Sequence, residues 1–252
     1  MRVVVAGATG LAGSRTVARL RDHGVEVVPV SRRDGVDVIT GRGLREALRG
    51  AEVVVDVTNA PSHTDQSGLE FFRTATTHLL SAAAAAGVEH HVLLSTVGAE
   101  RLQSAYFRAK LLQEEKVRRS PIPYSIVRAT PFFESVEIMA AENTSHNRVH
   151  VAPVLIRPVS TDDVAVALAH IAVGLPRFST LEVAGPEERR LDELTAEVLA
   201  ARHDKRVVVT DAHARYFGAE LRERALLPGA DAHVGHVTFT EWLAQPVVHT
   251  QR

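Results

Sequence analysis

Met1-Arg-Val-Val-Val-Ala-Gly-Ala-Thr-Gly-Leu-Ala-Gly13 opens the chain with a short apolar strand that runs straight into glycines spaced Gly7-x-x-Gly10-x-x-Gly13. A dinucleotide pyrophosphate has to lie against backbone N–H groups at a helix N-terminus, where the unpaired amides and the macrodipole both favour an anion. Side chains would hold it off. Gly7 is expected to allow the tight strand-to-helix turn, Gly10 the approach of the phosphates, and Gly13 the contact between helix and sheet. Val17 and Leu20 then share one face of a helix that ends near Gly24, so the glycines stand between a strand and a helix as this motif requires. The start also imitates a signal peptide, but the three glycines break its apolar stretch and no clean cleavage site follows, which argues against export.

Composition narrows the function further. The 252 residues, 45% of them hydrophobic, suffice for one substantial core or for a domain with a small lobe. A net charge of −1 provides no basic field for a phosphate backbone, so a small-molecule substrate is expected and nucleic acid is not. The absence of cysteine excludes disulfides and thiol chemistry, and with no export signal the expected compartment is the cytoplasm. The apolar run Ala82 to Ala86 is far too short to span a membrane. None of the thirteen histidines has metal-site spacing with carboxylates on one face, so no metal is expected; His90-His91 reads as a structural pair.

Strands alternate with helices, which predicts an α/β fold: a Rossmann-type, doubly wound parallel sheet. Six strands are expected at Arg2 to Ala6, Val25 to Val30, Val36 to Ile39, Ala51 to Asp56, His91 to Ser95 and Tyr124 to Ala129. Helices are expected through Leu44 and Leu48, from Gly68 to Ala86, and from Ala105 to Arg119. From Pro131 the rhythm loosens, with a helix Thr161 to Ala172, a strand Thr180 to Ala184 and a helix Leu191 to Ala201. This divides the chain into a dinucleotide-binding domain, residues 1–130, and a smaller C-terminal α/β lobe, residues 131–252, that covers the substrate and makes contacts back to the first domain. The Gly68 to Ala86 helix, carrying Phe71 and Phe72, offers either a core face or a homodimer interface. Ala212-His-Ala-Arg-Tyr-Phe-Gly218 is a candidate cover for the site, and Trp242 a candidate anchor for the last helix.

In an open parallel sheet the ligand lies beyond the carboxyl ends of the strands. After the second strand, Ser31-Arg32-Arg33 stands where an NAD site usually places an acidic residue; the guanidinium forks suit a 2′-phosphate, which favours NADP(H) over NAD(H), though arginines there can also be ordinary solvated charges. Val57, Thr58 and Asn59, in Val57-Thr-Asn-Ala-Pro61, are expected along the adenine-ribose edge, and Ser95-Thr-Val97 toward the nicotinamide. Tyr106 and Lys110 share a helix face through their i, i+4 spacing. A phenol made more acidic by a neighbouring ammonium can protonate a carbonyl oxygen as it accepts hydride, with Ser95 orienting that oxygen and Lys110 holding the nicotinamide ribose. The same spacing suits a tyrosine packed under the sheet beside a solvated lysine. Val97, Pro131, Phe132 and Phe133 are expected to line an apolar substrate pocket.

Taken together, Gly7-Ala-Thr-Gly-Leu-Ala-Gly13, Ser31-Arg-Arg33, Ser95 and Tyr106-x-x-x-Lys110 resemble the short-chain dehydrogenase/reductase superfamily, specifically its atypical NmrA-like members, over the whole chain. The resemblance implies that Gly7, Thr9, Gly10, Leu11, Ala12 and Gly13 hold the pyrophosphate, Arg32 and Arg33 the 2′-phosphate, and Thr130, Pro131 and Phe132 the nicotinamide wall. It implies an NADPH-dependent oxidoreductase acting on a small apolar carbonyl or quinone. Some NmrA-like proteins lack the tyrosine and only sense the dinucleotide, so a redox sensor with a protein partner is the alternative. An epimerase or dehydratase of a sugar nucleotide also fits the fold, but the short second half leaves it less room. Ser95 lies closer to the tyrosine in sequence than in the superfamily's typical enzymes.

Overall fold

A computed structural model describes residues 1–60 and 66–245. Its centre is a seven-stranded sheet, every pairing of which is parallel. The strands are β1 (Arg2–Ala6), β2 (Glu26–Val30), β3 (Val53–Asp56), β4 (His90–Thr96), β5 (Tyr124–Ala129), β6 (Thr180–Ala184) and β7 (His233–Val234), and they lie in the order β7-β6-β5-β4-β3-β1-β2.

The unbroken valine runs explain why the sheet is covered on both sides. Successive side chains of a strand point to opposite faces, so a strand buried on both must be apolar at every position. In β1, Val3 and Val5 join Val53, Val55, Val92 and Val127 in one core, while Val4 and Ala6 join Val54, Leu93 and Ile126 in another. The first core is closed by helices α1 (Leu11–Asp22) and α6 (Thr161–Val173), which pack on each other. The second is closed by α2 (Leu44–Ala47), α3 (Gln66–Ala86) and α4 (Ala105–Arg119). Each fully buried valine contributes on the order of 2 kcal/mol. Among the described residues, no helix is long and apolar enough to cross a membrane.

Two sequence expectations are corrected here. Val36 to Ile39 is not a strand: the Asp37 carboxylate accepts the Ile39 N–H at 2.8 Å, and the Asp37 N–H donates to the Arg42 carbonyl at 2.9 Å. An aspartate that satisfies its own backbone in this way competes with the strand ladder. The central sheet also gains two strands from the second half: Thr180–Ala184, expected as a strand, pairs with β5, and His233–Val234, not expected, pairs with that strand in turn.

Apart from α6, β6 and β7, the second half packs mainly on the C-terminal ends of the strands. Helices α5 (Phe133–Glu142), α7 (Leu191–Ala201) and α8 (Phe239–Leu243) share a third core with α4, together with a three-stranded sheet and a hairpin, Arg215–Glu220. Trp242 anchors α8, its ring 5.6 Å from Phe133 and 5.3 Å from Phe239. His90 and His91 are buried in β4; His90 shares a 2.9 Å hydrogen bond with Ser125, and burial holds both rings below the ordinary histidine pKa, His90 at about 4.

A tight backbone contact sets the geometry of the glycine turn. A Cβ at Gly13 would lie 2.0 Å from the Gly7 carbonyl oxygen, so α1 approaches the end of β1 only because Gly13 has no side chain. Gly13→Ala is expected to lower stability by about 3 kcal/mol, measured by denaturant unfolding, since a backbone oxygen cannot rotate aside. A change below about 0.5 kcal/mol would show that the helix moves freely.

Candidate active site

A cleft of about 910 Å³ runs along the C-terminal edge of the sheet, from the glycine turn to the Arg215–Glu220 hairpin. Gly7 sits at φ +86, its N–H and that of Ala8 donate to the Val30 carbonyl, and a Cβ on it would lie 2.9 Å from the Val57 oxygen. This turn delivers Gly10 as the N-cap of α1. The cap brings no side-chain hydrogen bond, and the first turn holds no acidic residue. Gly7, Thr9, Gly10, Leu11 and Ala12 all border the cleft. An uncapped helix start facing open space is the arrangement a pyrophosphate needs, and the residues present fit a dinucleotide. Gly13 is not on the cleft wall; it acts through the packing contact with Gly7.

Arg32 and Arg33 lie exposed on a short 3-10 turn at the same end of the cleft. Ser31 also borders it, with its hydroxyl donating to Asp34 at 2.6 Å. Val57, Thr58 and Asn59 line the next stretch; Pro61 lies outside the described residues. The wall continues through Val36, Asp37, Val38 and Ile39, which the sequence reading missed by assigning them to a strand.

Ser95, Tyr106 and Lys110 all reach the cleft, with Thr130, Pro131 and Phe132 beside them. Helix α4 starts at Ser104, whose hydroxyl accepts the Phe107 N–H, and this sets Tyr106 and Lys110 on the inward face. The Lys110 ammonium donates to the Leu94 carbonyl at 2.8 Å and to Gln113 Oε1 at 2.7 Å, and lies 4.8 Å from the centre of the Phe72 ring. Gln113 donates in turn to Asp56 at 3.0 Å, whose other oxygen accepts the Thr58 N–H and hydroxyl at 3.0 and 2.7 Å. Burial pulls the Lys110 pKa down to about 8, against the opposing pull of the Asp56 and Glu114 charges.

Three expectations about these residues are corrected. The Ser95 hydroxyl donates to Glu114 at 2.6 Å and so is already engaged. Glu114 is fully buried and clasped by Arg128 at 2.8 and 2.9 Å and Arg118 at 2.8 Å. Burial pushes its carboxyl upward, but the hydrogen bonds from Arg128 and Ser95 and the charge of Arg128 outweigh that and hold it below the ordinary value. The Tyr106 phenol is raised, not lowered, because it is buried against Phe217, Phe107 and Phe72. Val97 and Phe133 are buried but do not border the cleft: the Val97 N–H is tied to Ala129 of β5, and Phe133 packs on Phe239 and Trp242. The apolar wall comes instead from Phe132 together with Phe71, Ile138, Tyr216 and Phe217. Phe71 and the Tyr216-Phe217 pair had been singled out in sequence, but no local pattern tied them to one wall.

Because Asp56 favours the charged form of Lys110, Asp56→Asn is expected to move the Lys110 titration midpoint from about 8 to a lower pH. Lysine side-chain NMR reads this directly; a shift of about one unit is expected, and an unchanged midpoint would show that the Gln113 link carries no coupling.

Comparison with known proteins agrees with this geometry. The profile of a family described as NAD(P)H-binding matches residues 7–173. A (4-alkanoyl-5-oxo-2,5-dihydrofuran-3-yl)methyl phosphate reductase from Streptomyces griseus is 32% identical over 215 residues, covering 78% of this chain and 72% of the relative. Among solved structures, a dTDP-glucose 4,6-dehydratase from Streptomyces venezuelae with NAD and TYD bound superposes with a TM-score of 0.74 at 21% identity, over 97% of this chain and 95% of that one. An NADPH-dependent quinone oxidoreductase from Escherichia coli gives 0.62 at 19% identity, over 85% and 79%. These two likenesses speak for the fold. The glycine turn, the parallel sheet and the matched span place the chain in the NAD(P)H-binding family, as an oxidoreductase of the atypical short-chain dehydrogenase/reductase type.

Proposed function

We propose that this protein is a reductase that prefers NADP(H) and acts on a small, apolar carbonyl or quinone acceptor. The observation that carries the reading is the joining, in one cleft, of an uncapped helix start and two arginines at one end with Tyr106 and Lys110 in an apolar wall at the other. When bound, the reduced dinucleotide supplies the hydride. The amides of Leu11 and Ala12 would hold its pyrophosphate, Arg32 and Arg33 its 2′-phosphate, and Val57, Thr58 and Asn59 its adenosine edge. Thr130, Pro131 and Phe132 would wall in the nicotinamide.

Tyr106 is cast as the proton donor. The phenol is protonated at physiological pH, so a proton is there to give as negative charge appears on the acceptor oxygen, although burial makes it a weaker acid than a free phenol. Lys110, one turn further along the same helix face, would contribute positive charge and a contact to the nicotinamide ribose. Ser95 is recast as the group that fixes Glu114 beneath the cleft, since its hydroxyl is engaged there. The (4-alkanoyl-5-oxo-2,5-dihydrofuran-3-yl)methyl phosphate reductase from Streptomyces griseus supports a reductive direction, and the wall of Phe71, Phe132 and Phe217 supports an apolar acceptor.

Tyr106→Phe is expected to lower kcat for a carbonyl acceptor about 100-fold and leave the NADPH dissociation constant within about twofold. NADPH oxidation followed beside a cofactor titration measures both; unchanged turnover would remove Tyr106 as the acid. Tight NADPH binding without turnover of any acceptor would move the reading to a dinucleotide sensor. Replacing Arg32 and Arg33 together by alanine is expected to weaken NADPH about 30-fold and NADH by less than about threefold. Equal losses in calorimetry would refute the 2′-phosphate role.

A further inference from the structure

The hairpin Arg215–Glu220 enters the cleft from the second half of the chain. Its strands pair Arg215 with Glu220 and Tyr216 with Ala219, leaving Phe217 and Gly218 as a two-residue turn at φ +46 and +76. Such turns favour asparagine or glycine at both positions, because a Cβ crowds the backbone there. A phenylalanine kept on left-handed backbone is a strained choice, and strain of this kind points to a use for the side chain.

That use is visible in the packing. The Phe217 ring lies 4.6 Å from Tyr106 and belongs to a chain of rings that runs on through Phe72, 6.3 Å from Tyr106, to Phe71 at 5.6 Å. Tyr216 stacks on Phe217 at 4.3 Å, and the Tyr216 and Ser135 hydroxyl side chains both border the cleft, as do Phe71, Tyr106 and Phe217. The hairpin is fixed at two points: Asn143, at the end of α5, donates to the Arg215 carbonyl at 3.1 Å, and Gly218 rests near Ser104 at the start of α4. Phe217 is therefore positioned by the same two helices that carry Tyr106 and Ser135.

Charge adds a second restriction. Among the described residues bordering the cleft, the cations are Arg32 and Arg33 at the glycine-turn end and Lys110, whose ammonium is committed to Leu94 and Gln113. Among the described residues, a phosphate or carboxylate carried by the acceptor meets at this end only Lys110, two of whose three N–H groups are already engaged.

We propose that the Arg215–Glu220 hairpin sets acceptor specificity: Phe217, with Phe71 and Tyr106, forms an aromatic wall for a flat, uncharged ring, and the Tyr216–Ser135 hydroxyl pair receives a ring oxygen. The inference rests on the reductase reading above and narrows its acceptor to planar cyclic compounds. Stacking of a flat ring on these side chains is sequence-built selectivity of a kind an open-chain acceptor cannot exploit.

The test uses 1,4-naphthoquinone, its 2-sulfonate, and the open-chain enone 3-penten-2-one, with wild type, Phe217→Asn and Tyr216→Phe. Asparagine is at ease on left-handed backbone, so Phe217→Asn removes the ring while easing the turn; Phe217→Gly serves if the asparagine variant does not fold. In calorimetry, Phe217→Asn is expected to weaken naphthoquinone binding about tenfold while leaving NADPH affinity within about twofold. The ratio of kcat/KM for naphthoquinone over the enone is expected to fall by a similar factor, about tenfold. Tyr216→Phe is expected to raise the naphthoquinone KM about fivefold, and the sulfonate to bind wild type more weakly than the parent ring. A folded Phe217 variant with unchanged binding and an unchanged ratio overturns the proposal, as does tighter binding of the sulfonate. Naphthoquinone that binds in a Phe217-dependent way but is not reduced preserves the wall and removes the reductase reading. Reduction with an unchanged ratio preserves that reading and removes the wall.

Discussion

The contact between Gly13 and the carbonyl of Gly7 is the constraint on which the remaining structure depends. It lets α1 begin directly above the end of β1, and that placement points the first-turn amides along the cleft. The same helix packs on α6, which belongs to the second half of the chain, so the turn that shapes the dinucleotide end also ties the two halves together. Any side chain at residue 13 forces the helix outward and disturbs both at once.

A second constraint lies under the opposite end of the cleft, where three charges are buried. Lys110 is offset by Asp56 through Gln113, and Glu114 by Arg128 and Arg118. Buried charges are tolerated only when each is paired and hydrogen-bonded, and the sequence supplies Lys110, Gln113 and Glu114 within two helical turns to do this. The result is a rigid floor beneath Tyr106. The hairpin and α5 close over that floor with aromatic side chains, giving a site that is polar and fixed below, apolar above.

Much of this was legible in the sequence where the signal is local. The strand, glycines and helix of residues 1–22 are a contiguous pattern, and the helix expected from Ala105 to Arg119 forms over those same residues. Val36 to Ile39 misled because alternating apolar residues suit a strand, whereas Asp37 bonds its own backbone instead. Ser95 looked available because its partner, Glu114, lies nineteen residues further on, on the next helix. Val97 and Phe133 have the right composition for a pocket wall, but only the path of the chain after β4 and into α5 decides which apolar residues meet the cleft. Tyr216 and Phe217 reach it through a hairpin more than one hundred residues from Tyr106, a distance no periodicity bridges.

The central claim is that one cleft holds the dinucleotide at the glycine turn and presents the acceptor to Tyr106. A crystal structure grown with NADP+ tests this most directly. The pyrophosphate is expected on the Leu11 and Ala12 amides, the 2′-phosphate between Arg32 and Arg33, and the nicotinamide against Phe132 with Lys110 beside its ribose. A dinucleotide bound elsewhere, or a cleft that stays free of it at saturating concentration, would contradict the account.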